Sequence, residues 1–336
     1  MTETVSSPSD SAGRAKFWSF ARPVLLRILY GLVSLLFISF ITFVADEIAP
    51  GDAATIRAGE KATPATVQRL REEMGLNRPW PIRYVEFLGN ASRLEFGNST
   101  QGTEQPIKDT LAKALPVTMS IAAFSIALAT FFGILFGMTA AIRENKGADR
   151  AILSFSTLGV TIPNYVLLPI LVLLFSPLYL DMLPTSYEPP DRQVASGILY
   201  ILIPVVVLSL RPMATLTRLM RASMIETLKQ EFVRLAVAKG VSPRRLYWTH
   251  CFRNALIPVL TAIGTSFGYL LTGSFVVESA YLVPGIGKTA IEAITQRDTP
   301  MILASTFVTG LLFIVVNLAV DILIPIIDPR VRESQV

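Results

Sequence analysis

Six apolar stretches dominate this sequence and limit the folds that it can adopt. A helix that crosses a membrane needs roughly 20 mostly apolar residues, because the hydrocarbon core offers no water to the backbone. Only 16% of the residues are charged, whereas about 25% is typical of soluble domains. We therefore predict an all-α polytopic membrane protein with six transmembrane helices. The predicted spans are Ile28 to Ala45, Pro116 to Ile142, Ala151 to Ser176, Ile198 to Thr217, Leu256 to Val277 and Ile302 to Ile327.

Lys and Arg are distributed unevenly among the connections between these spans, and they predict the orientation of the chain. One side would hold four before the first span, three in the second connection, eight from Arg218 to Arg253 and two in the tail. The short connections of the other side would hold only Arg192, Lys288 and Arg297. We therefore predict cytoplasmic tails at 1–27 and 328–336. Topology then accounts for the net charge of +5, so that no nucleic-acid partner is needed.

The first apolar stretch, 28–45, could also be a signal peptide, because Val44 and Ala45 are small enough for cleavage. Its 18-residue apolar run is, however, longer than the roughly 7 to 15 residues of a signal core. We therefore expect it to be retained as the first transmembrane helix.

Residues 46–115 lie between the first two predicted spans and are too many for a simple turn. Thr63 and Pro64 are typical of an N-cap and a first helical position, and Gly75 is typical of a helix end. After a break at 78–81, a second apolar pattern predicts another short helix. We therefore predict a small extracytoplasmic helical cap, which shapes the outer mouth or docks a solute-delivery protein, or else is a structural plug. The two apolar faces consist of Val67, Leu70 and Met74 and of Ile82, Val85 and Leu88.

The predicted cytoplasmic connection 218–255 has a helix, turn and helix pattern. Leu228, Phe232, Leu235 and Ala236 recur at spacings that place them on one helical face. Gly240 would end that helix, and Ser242 with Pro243 would begin the next. The second apolar face would consist of Leu246, Tyr247, Cys251 and Ala255.

Such a basic helix pair suits insertion into a groove of a cytoplasmic partner. Two other interpretations remain open from the pattern alone. The segment could be a solvated basic loop that only sets topology, or an amphipathic pair that lies on anionic lipid. DNA binding is disfavoured, because both ends of the segment are tethered to the membrane.

Residues 234–240 and 253–258 also resemble the cytoplasmic EAA-type motif of binding-protein-dependent ABC-transporter permeases. More narrowly, the chain from Arg22 to Arg332 is similar to the B-type branch of the dipeptide, oligopeptide and nickel permease family. The matching residues read, in order, Arg234-Leu235-Ala236-Val237-Ala238-Lys239-Gly240 and Arg253-Asn254-Ala255-Leu256-Ile257-Pro258. Further matches are Pro50-Gly51-Asp52, Gly75-Leu76-Asn77-Arg78-Pro79, Leu115-Pro116-Val117-Thr118, Ile162-Pro163, Glu278, Pro284-Gly285-Ile286-Gly287, Arg297-Asp298, Asn317 with Asp321, and Asp328-Pro329-Arg330-Val331-Arg332.

The chain departs from the general pattern at three points. Arg234 and Leu235 stand where the general motif has Glu and Ala, and the gap from Gly240 to Pro258 is five residues longer. The peptide-permease branch shares both of these features. Gln296 stands where the family more often has asparagine.

The resemblance implies a type I ABC importer (MetI-like) permease fold in the bacterial inner membrane, with both termini cytoplasmic. It implies a heterodimer with a C-type permease, two cytoplasmic ABC ATPases and an extracytoplasmic solute-binding protein. ATP and Mg would bind the ATPases, so that this chain would hold no cofactor and would not be an enzyme. The expected solutes are di- or oligopeptides, and the alternatives are a nickel complex or glutathione. The residues expected to couple to the ATPases are Arg234, Leu235, Ala236, Ala238, Lys239, Gly240, Arg244 and Arg245.

Arg211 and Asp321 are charged residues inside predicted spans. A charge in the bilayer costs roughly 2.5 to 3.5 kcal/mol on insertion scales, so each is a candidate functional residue. Each lies seven residues before a predicted cytoplasmic boundary, or about 10 Å above it. We expect them either to pair or to line the translocation pathway, together with Asn317. Alternatively, Arg211 reaches the headgroups.

Residues 285–289 resemble the end of a phosphate-binding P-loop, but Leu282 stands where the full pattern needs glycine. The segment also falls on the predicted outer face, where there is no ATP. We therefore interpret its glycines as a tight turn. Since His250 and Cys251 are the only histidine and cysteine, a metal site built on them is not expected, and no intramembrane catalytic set is apparent.

Two features bear on how the helices pack. Pro163, Pro204, Pro258 and Pro325 are expected to kink or begin helices. Gly133 with Gly137, and Gly264 with Gly268, allow close approach of another helix, either from this chain or from a second permease. A stand-alone secondary transporter would show repeat symmetry and broken helices, and the sequence shows neither.

Overall fold

The computed structural model describes residues 8–49, 53–59, 62–100, 105–175, 182–188 and 199–327. Over these residues the chain is helical, as predicted. The five long helices are α1 (Pro8–Ile48), α5 (Ile107–Ile142), α8 (Leu199–Leu228), α11 (Phe252–Ala280) and α13 (Thr299–Ile327). Between them lie α2 (Ala53–Ala58), α3 (Pro64–Glu73), α4 (Trp80–Ala91), α6 (Gly147–Thr161), α7 (Asn164–Phe175), α9 (Glu231–Ala238), α10 (Pro243–Arg245) and α12 (Ile286–Gln296).

Within the described residues, five helices are long and apolar enough to cross a membrane, and a bent pair can form the sixth span. That pair is α6 and α7, which meet at 109°. The third predicted span, 151–176, is therefore made of two helices, and the break falls at Pro163, which was expected to kink or begin a helix. Pro163 has no N–H and disfavours helical geometry in the residue before it, and Ile162 is extended with ψ 121°. The expectation that no span is broken was wrong for the same reason.

Several helices extend beyond the apolar stretches that predicted them. α5 begins at Ile107 and includes Pro116, α8 continues to Leu228, and α1 begins at Pro8. Hydropathy marks only the part of a helix that suits lipid, and a helix continues into water until a residue breaks it. The predicted tail 1–27 is therefore helical from Pro8 onward, and the predicted tail 328–336 lies outside the described residues.

The two glycine pairs pack against helices of this same chain. A Cβ added to Gly137 would lie 2.6 Å from Met220 Cβ and 2.7 Å from the Thr217 carbonyl oxygen. A Cβ on Gly133 would lie 2.8 Å from Leu216 Cβ. On α11, Gly264 faces Val320 and Gly268 faces Asn317. The pairs therefore join α5 to α8 and α11 to α13 within the bundle.

The outer segment forms the predicted helices α3 and α4, preceded by α2. Thr63 caps α3 as predicted, since its hydroxyl oxygen accepts the Thr66 N–H at 3.3 Å, and Gly75 has φ +67°. The second short helix is confirmed as α4, although Ile82 and Val85 of its apolar pattern are exposed.

Another face of α4 packs instead against α1 and α13. The ring of Tyr84 lies 5.3 Å from that of Phe43, and the ring of Phe87 lies 6.1 Å from that of Phe307. Aromatic contacts therefore determine how α4 is rotated.

Hydrogen bonds to Asp298 connect the outer segment to the connection between α12 and α13. Its carboxylate is buried and accepts hydrogen bonds from the Ser99 hydroxyl, the Thr100 N–H at 3.2 Å and the Thr100 hydroxyl at 3.0 Å. At the first residue of α13, the Thr299 hydroxyl donates to Asp46 of α1 at 2.9 Å. Hydrogen bonds thus connect the cap to the bundle.

Candidate coupling elbow and translocation groove

The segment between α8 and α11 folds as a helix, a glycine turn and a helix, as predicted. Gly240 follows α9 with φ +75°, a conformation that L-residues with a side chain rarely adopt. Ser242 and Pro243 occupy the N-cap and first positions of α10, although the Ser242 side chain makes no capping hydrogen bond. A π-helical stretch, Leu246–Cys251, then leads into α11. We call residues 229–251 the elbow.

Apolar contacts hold the elbow against the ends of α5 and α8. Val233 and Ala236 of α9 are buried in one cluster with Met138, Met220 and Met224. The second predicted face is largely confirmed. Leu246, Cys251 and Ala255 are buried and Tyr247 is half-buried. The π-helical turn accommodates the five-residue spacing from Leu246 to Cys251.

The predicted apolar face of α9 was wrong in part. Leu228 ends α8, and Gln230 is extended with ψ 151°, so Leu228 is not in helical register with the residues that follow. The structure buries Val233 beside Ala236 and leaves Phe232 and Leu235 exposed, at 41% and 57%. The elbow therefore presents large apolar side chains to its surroundings.

Seven of the eight predicted coupling residues are exposed, and Ala236 is buried in the anchor of the elbow. Arg244 and Arg245 line a shallow surface pocket of about 540 Å³ with Ser242, Trp248 and Thr249. The ion pairs found among the described residues include none of the basic side chains of this set. The elbow thus exposes both apolar and basic side chains, which suits a partner surface with apolar and acidic groups. The exposed residues are Arg234, Leu235, Ala238, Lys239, Gly240, Arg244 and Arg245.

An ion pair between a buried carboxylate and a partly exposed arginine stabilises the end of α8 that leads into the elbow. Arg221 Nε lies 2.6 Å from Asp149 Oδ1, and its Nη2 lies 2.7 Å from Oδ2. The Asn145 N–H donates to the same carboxylate at 2.8 Å. Such a bidentate pair fixes the relative orientation of the two side chains as well as the distance between them. Sequence reasoning missed this contact, because the two residues are far apart in the chain and nothing in their spacing relates them.

A groove of about 600 Å³ runs between α8 and α11 and contains Arg211. Its lining is a mixture of apolar and hydroxyl side chains, and α7 contributes its first residue. We call it the groove. The lining residues are Asn164, Leu208, Arg211, Pro212, Thr215, Ala262, Thr265, Ser266, Tyr269, Leu270, Thr272 and Gly273.

The structure does not bring the three predicted pathway residues together. Asp321 forms an ion pair with Arg27 of α1, so the hypothesis that it pairs with Arg211 was wrong. α1 packs along α13 and places Arg27 beside Asp321, an arrangement that single-helix patterns do not reveal. Asn317 donates to the Phe313 carbonyl at 2.8 Å and faces Gly268. Arg211 alone of the three lines the groove.

Glycines and a buried glutamate form the turn before α12. Glu278 Oε2 accepts the Gly287 N–H at 2.8 Å, and the Thr118 hydroxyl oxygen accepts the Ile286 N–H at 2.9 Å. A Cβ on Gly287 would lie 2.8 Å from the Phe275 ring, and one on Gly285 would collide with Glu278 and Thr118. The P-loop-like glycines are therefore required for close packing, which agrees with their interpretation as a tight turn.

Comparison with known proteins adds family information to this geometry. A model of the family described as "Binding-protein-dependent transport system inner membrane component" matches residues 133–333. A model of the N-terminal region of such membrane components matches residues 20–122.

Curated relatives match almost the whole chain. The oligopeptide transport system permease protein OppB of Haemophilus influenzae is 36% identical over 307 residues, which are 91% of this chain and 97% of that protein. The dipeptide transport system permease protein DppB of Bacillus subtilis is 33% identical over 318 residues, 94% of this chain and 96% of that protein. DppB of Lactococcus lactis is 35% identical over 309 residues, 92% and 98% of the two chains. These matches confirm the resemblance inferred from the motifs.

Proposed function

Because this chain belongs to the family of binding-protein-dependent transport system inner membrane components, we propose that it is the permease subunit of an ATP-driven importer of di- or oligopeptides. The observation that carries the solute class is the match of more than nine tenths of the chain to relatives named as oligopeptide and dipeptide permeases. A non-peptide solute such as a nickel complex or glutathione is the alternative within the same transporter class.

Membership in this family implies ATPase and solute-binding partners. We propose the specific assembly of one C-type permease, two cytoplasmic ABC ATPases and one extracytoplasmic solute-binding protein. ATP and Mg bind the ATPases in this proposal, and the present chain neither holds a cofactor nor catalyses a reaction. The chain lies in the bacterial inner membrane with both termini cytoplasmic.

The exposed face of the elbow supports a role in coupling. Phe232 and Leu235 of α9 are large exposed apolar side chains, and Arg234 and Lys239 of the same segment are exposed as well. Closure of the ATPases around bound ATP would move the elbow as a rigid body, because Val233 and Ala236 anchor it to α5 and α8. The bundle then changes from inward-facing to outward-facing, and the ATP-bound ATPases favour one of the two states.

The cap supports the proposal on the outer side. Its bonds to α1 and to the connection before α13 give a binding protein a surface that is connected to the spans. We propose that this surface receives the loaded binding protein.

Reconstitution of the complete complex in proteoliposomes tests this function. The expected result is uptake of a radiolabelled tripeptide that requires ATP, the binding protein and both ATPases. A complex with ATPases that bind but do not hydrolyse ATP is the control, and it should not accumulate peptide. Peptide accumulation by the permeases without ATPases would contradict the proposal, as would uptake of nickel complexes or glutathione but not of peptides.

A further inference from the structure

We propose that Arg211 binds a carboxylate of the transported solute in the groove, and that the importer therefore prefers solutes with a free carboxylate. The inference rests on the proposed function, since it concerns the solute of that same importer. The preference for a free carboxylate would then depend on one side chain, that of Arg211.

Arg211 lies within the predicted fourth span, seven residues or about 10 Å from the cytoplasmic boundary that Arg218 marks. α8 continues as one helix past that boundary to Leu228. In the structure Arg211 lines the groove between α8 and α11. We therefore prefer a role in the groove to the alternative in which Arg211 extends to the headgroups.

Arg211 also lacks the partner that the sequence suggested. Asp321 is occupied by Arg27, and none of the ion pairs found among the described residues includes Arg211. Of the described residues that line the groove, none is acidic. A guanidinium in a membrane is costly, and such residues typically face a water-filled cavity or a functional partner. The groove supplies the cavity, and an anionic solute supplies the partner.

Hydroxyl groups beside Arg211 complement a peptide. Thr215, Thr265 and Thr272 each donate their hydroxyl hydrogen to a carbonyl of their own helix. Since a hydroxyl oxygen also has two lone pairs, each can accept an N–H from a solute. Ser266 and Tyr269, which is 77% exposed, add two more hydroxyls to the lining.

Pro212 affects the hydrogen bonding of a backbone carbonyl in the groove. Because proline has no N–H, it cannot bond the Leu208 carbonyl in the usual helical pattern. Both residues line the groove. The groove therefore combines one cation with several acceptors, which matches a peptide that has one carboxylate and several N–H groups.

The size and the remaining chemistry of the groove fit this ligand class. Its volume of about 600 Å³ falls within the roughly 300 to 1,000 Å³ of small-molecule sites. A guanidinium binds a carboxylate through two parallel hydrogen bonds, a geometry that lysine cannot reproduce. Recognition of the terminal carboxylate would leave the side chains of the solute unrestricted.

The test compares uptake of three tripeptides by the reconstituted complex: a neutral peptide with a free C-terminus, its C-terminal amide, and an amide that contains glutamate. For the wild type we expect an apparent KM about tenfold lower for the free acid than for the neutral amide. Arg211→Gln should remove this difference, and Arg211→Lys should retain part of it. Arg218→Gln is the matched control, because Arg218 is exposed on the same helix but does not line the groove, and it should preserve the difference.

Each outcome decides between explanations. A preference for the glutamate amide that Arg211→Gln also removes would show that side-chain carboxylates use the same contact. Equal KM values in the wild type, or discrimination that persists in Arg211→Gln, would overturn the inference while leaving the proposed function intact. Absence of all peptide uptake by the wild type would overturn both. Co-purification of each variant with its partners and its ATP hydrolysis rate separate these results from failure to assemble.

Discussion

At the scale of single residues, glycines determine how closely the helices of the bundle approach. The spacing of Gly133 and Gly137 predicted a close contact, and the structure shows that its partner is α8 of the same chain. The contact at Gly137 includes a backbone carbonyl, that of Thr217. A backbone atom inside a helix cannot move aside without moving the helix, so a side chain at this position forces α5 and α8 apart.

Gly137→Ala is therefore expected to destabilise the protein by about 1 to 3 kcal/mol, the usual cost of overpacking. Thermal unfolding in detergent measures the change as a lower Tm. Gly273→Ala is the matched control, since a Cβ there meets nothing within 4 Å, and its Tm should stay the same or rise. Equal effects of the two substitutions would contradict the close packing of α5 on α8.

At the scale of elements, the elbow combines a rigid anchor with a turn that depends on one backbone conformation. Gly240 has φ +75°, yet a Cβ there would meet nothing within 4 Å. Backbone strain, rather than a steric clash, thus determines which residues are tolerated. Asparagine adopts this conformation more readily than β-branched residues do.

Replacing Gly240 with valine should therefore impair coupling, while asparagine should largely preserve it. The strain of a β-branched residue in this region is of order 1 to 3 kcal/mol, which is enough to reorient α9 relative to α10. The measurements are co-purification of the ATPases and peptide-stimulated ATP hydrolysis by the complex. Unchanged association and unchanged uptake in Gly240→Val would indicate that the elbow does not dock the ATPases.

At the scale of the whole molecule, the proposed mechanism requires the elbow and the cap to face opposite sides of the membrane. The distribution of Lys and Arg predicts this arrangement, and the spans alternate accordingly only if α6 and α7 together cross the membrane once. The bent pair is therefore the point on which the topology depends.

Labelling with a membrane-impermeant maleimide tests the topology. Cys251 is the only cysteine and is buried, so Cys251→Ala provides a background without thiols. We expect Ala65→Cys, on exposed α3, to react in right-side-out vesicles and Lys229→Cys, in the elbow, to react only in inside-out vesicles. Labelling of both positions from one side would refute the orientation and the coupling role together.

The sequence by itself determined what depends on neighbours along the chain. Membrane spans follow from runs of apolar residues, the Thr63 cap and the Gly240 turn follow from local backbone chemistry, and the break at Pro163 follows from a missing N–H. The motifs in their order identified the family. All these signals can be read in windows of a few residues, because the forces behind them act between groups close in sequence.

Only the tertiary structure decided which groups meet across the bundle. It paired Asp321 with Arg27, joined Asp149 to Arg221, rotated α9 so that Val233 is buried, and left Arg211 facing the groove. These contacts join residues far apart in the chain, and helical periodicity indicates a face without indicating what covers it. The packing of the helices, together with the breaks and turns between them, determines which residue each charged side chain contacts and what covers each helix face.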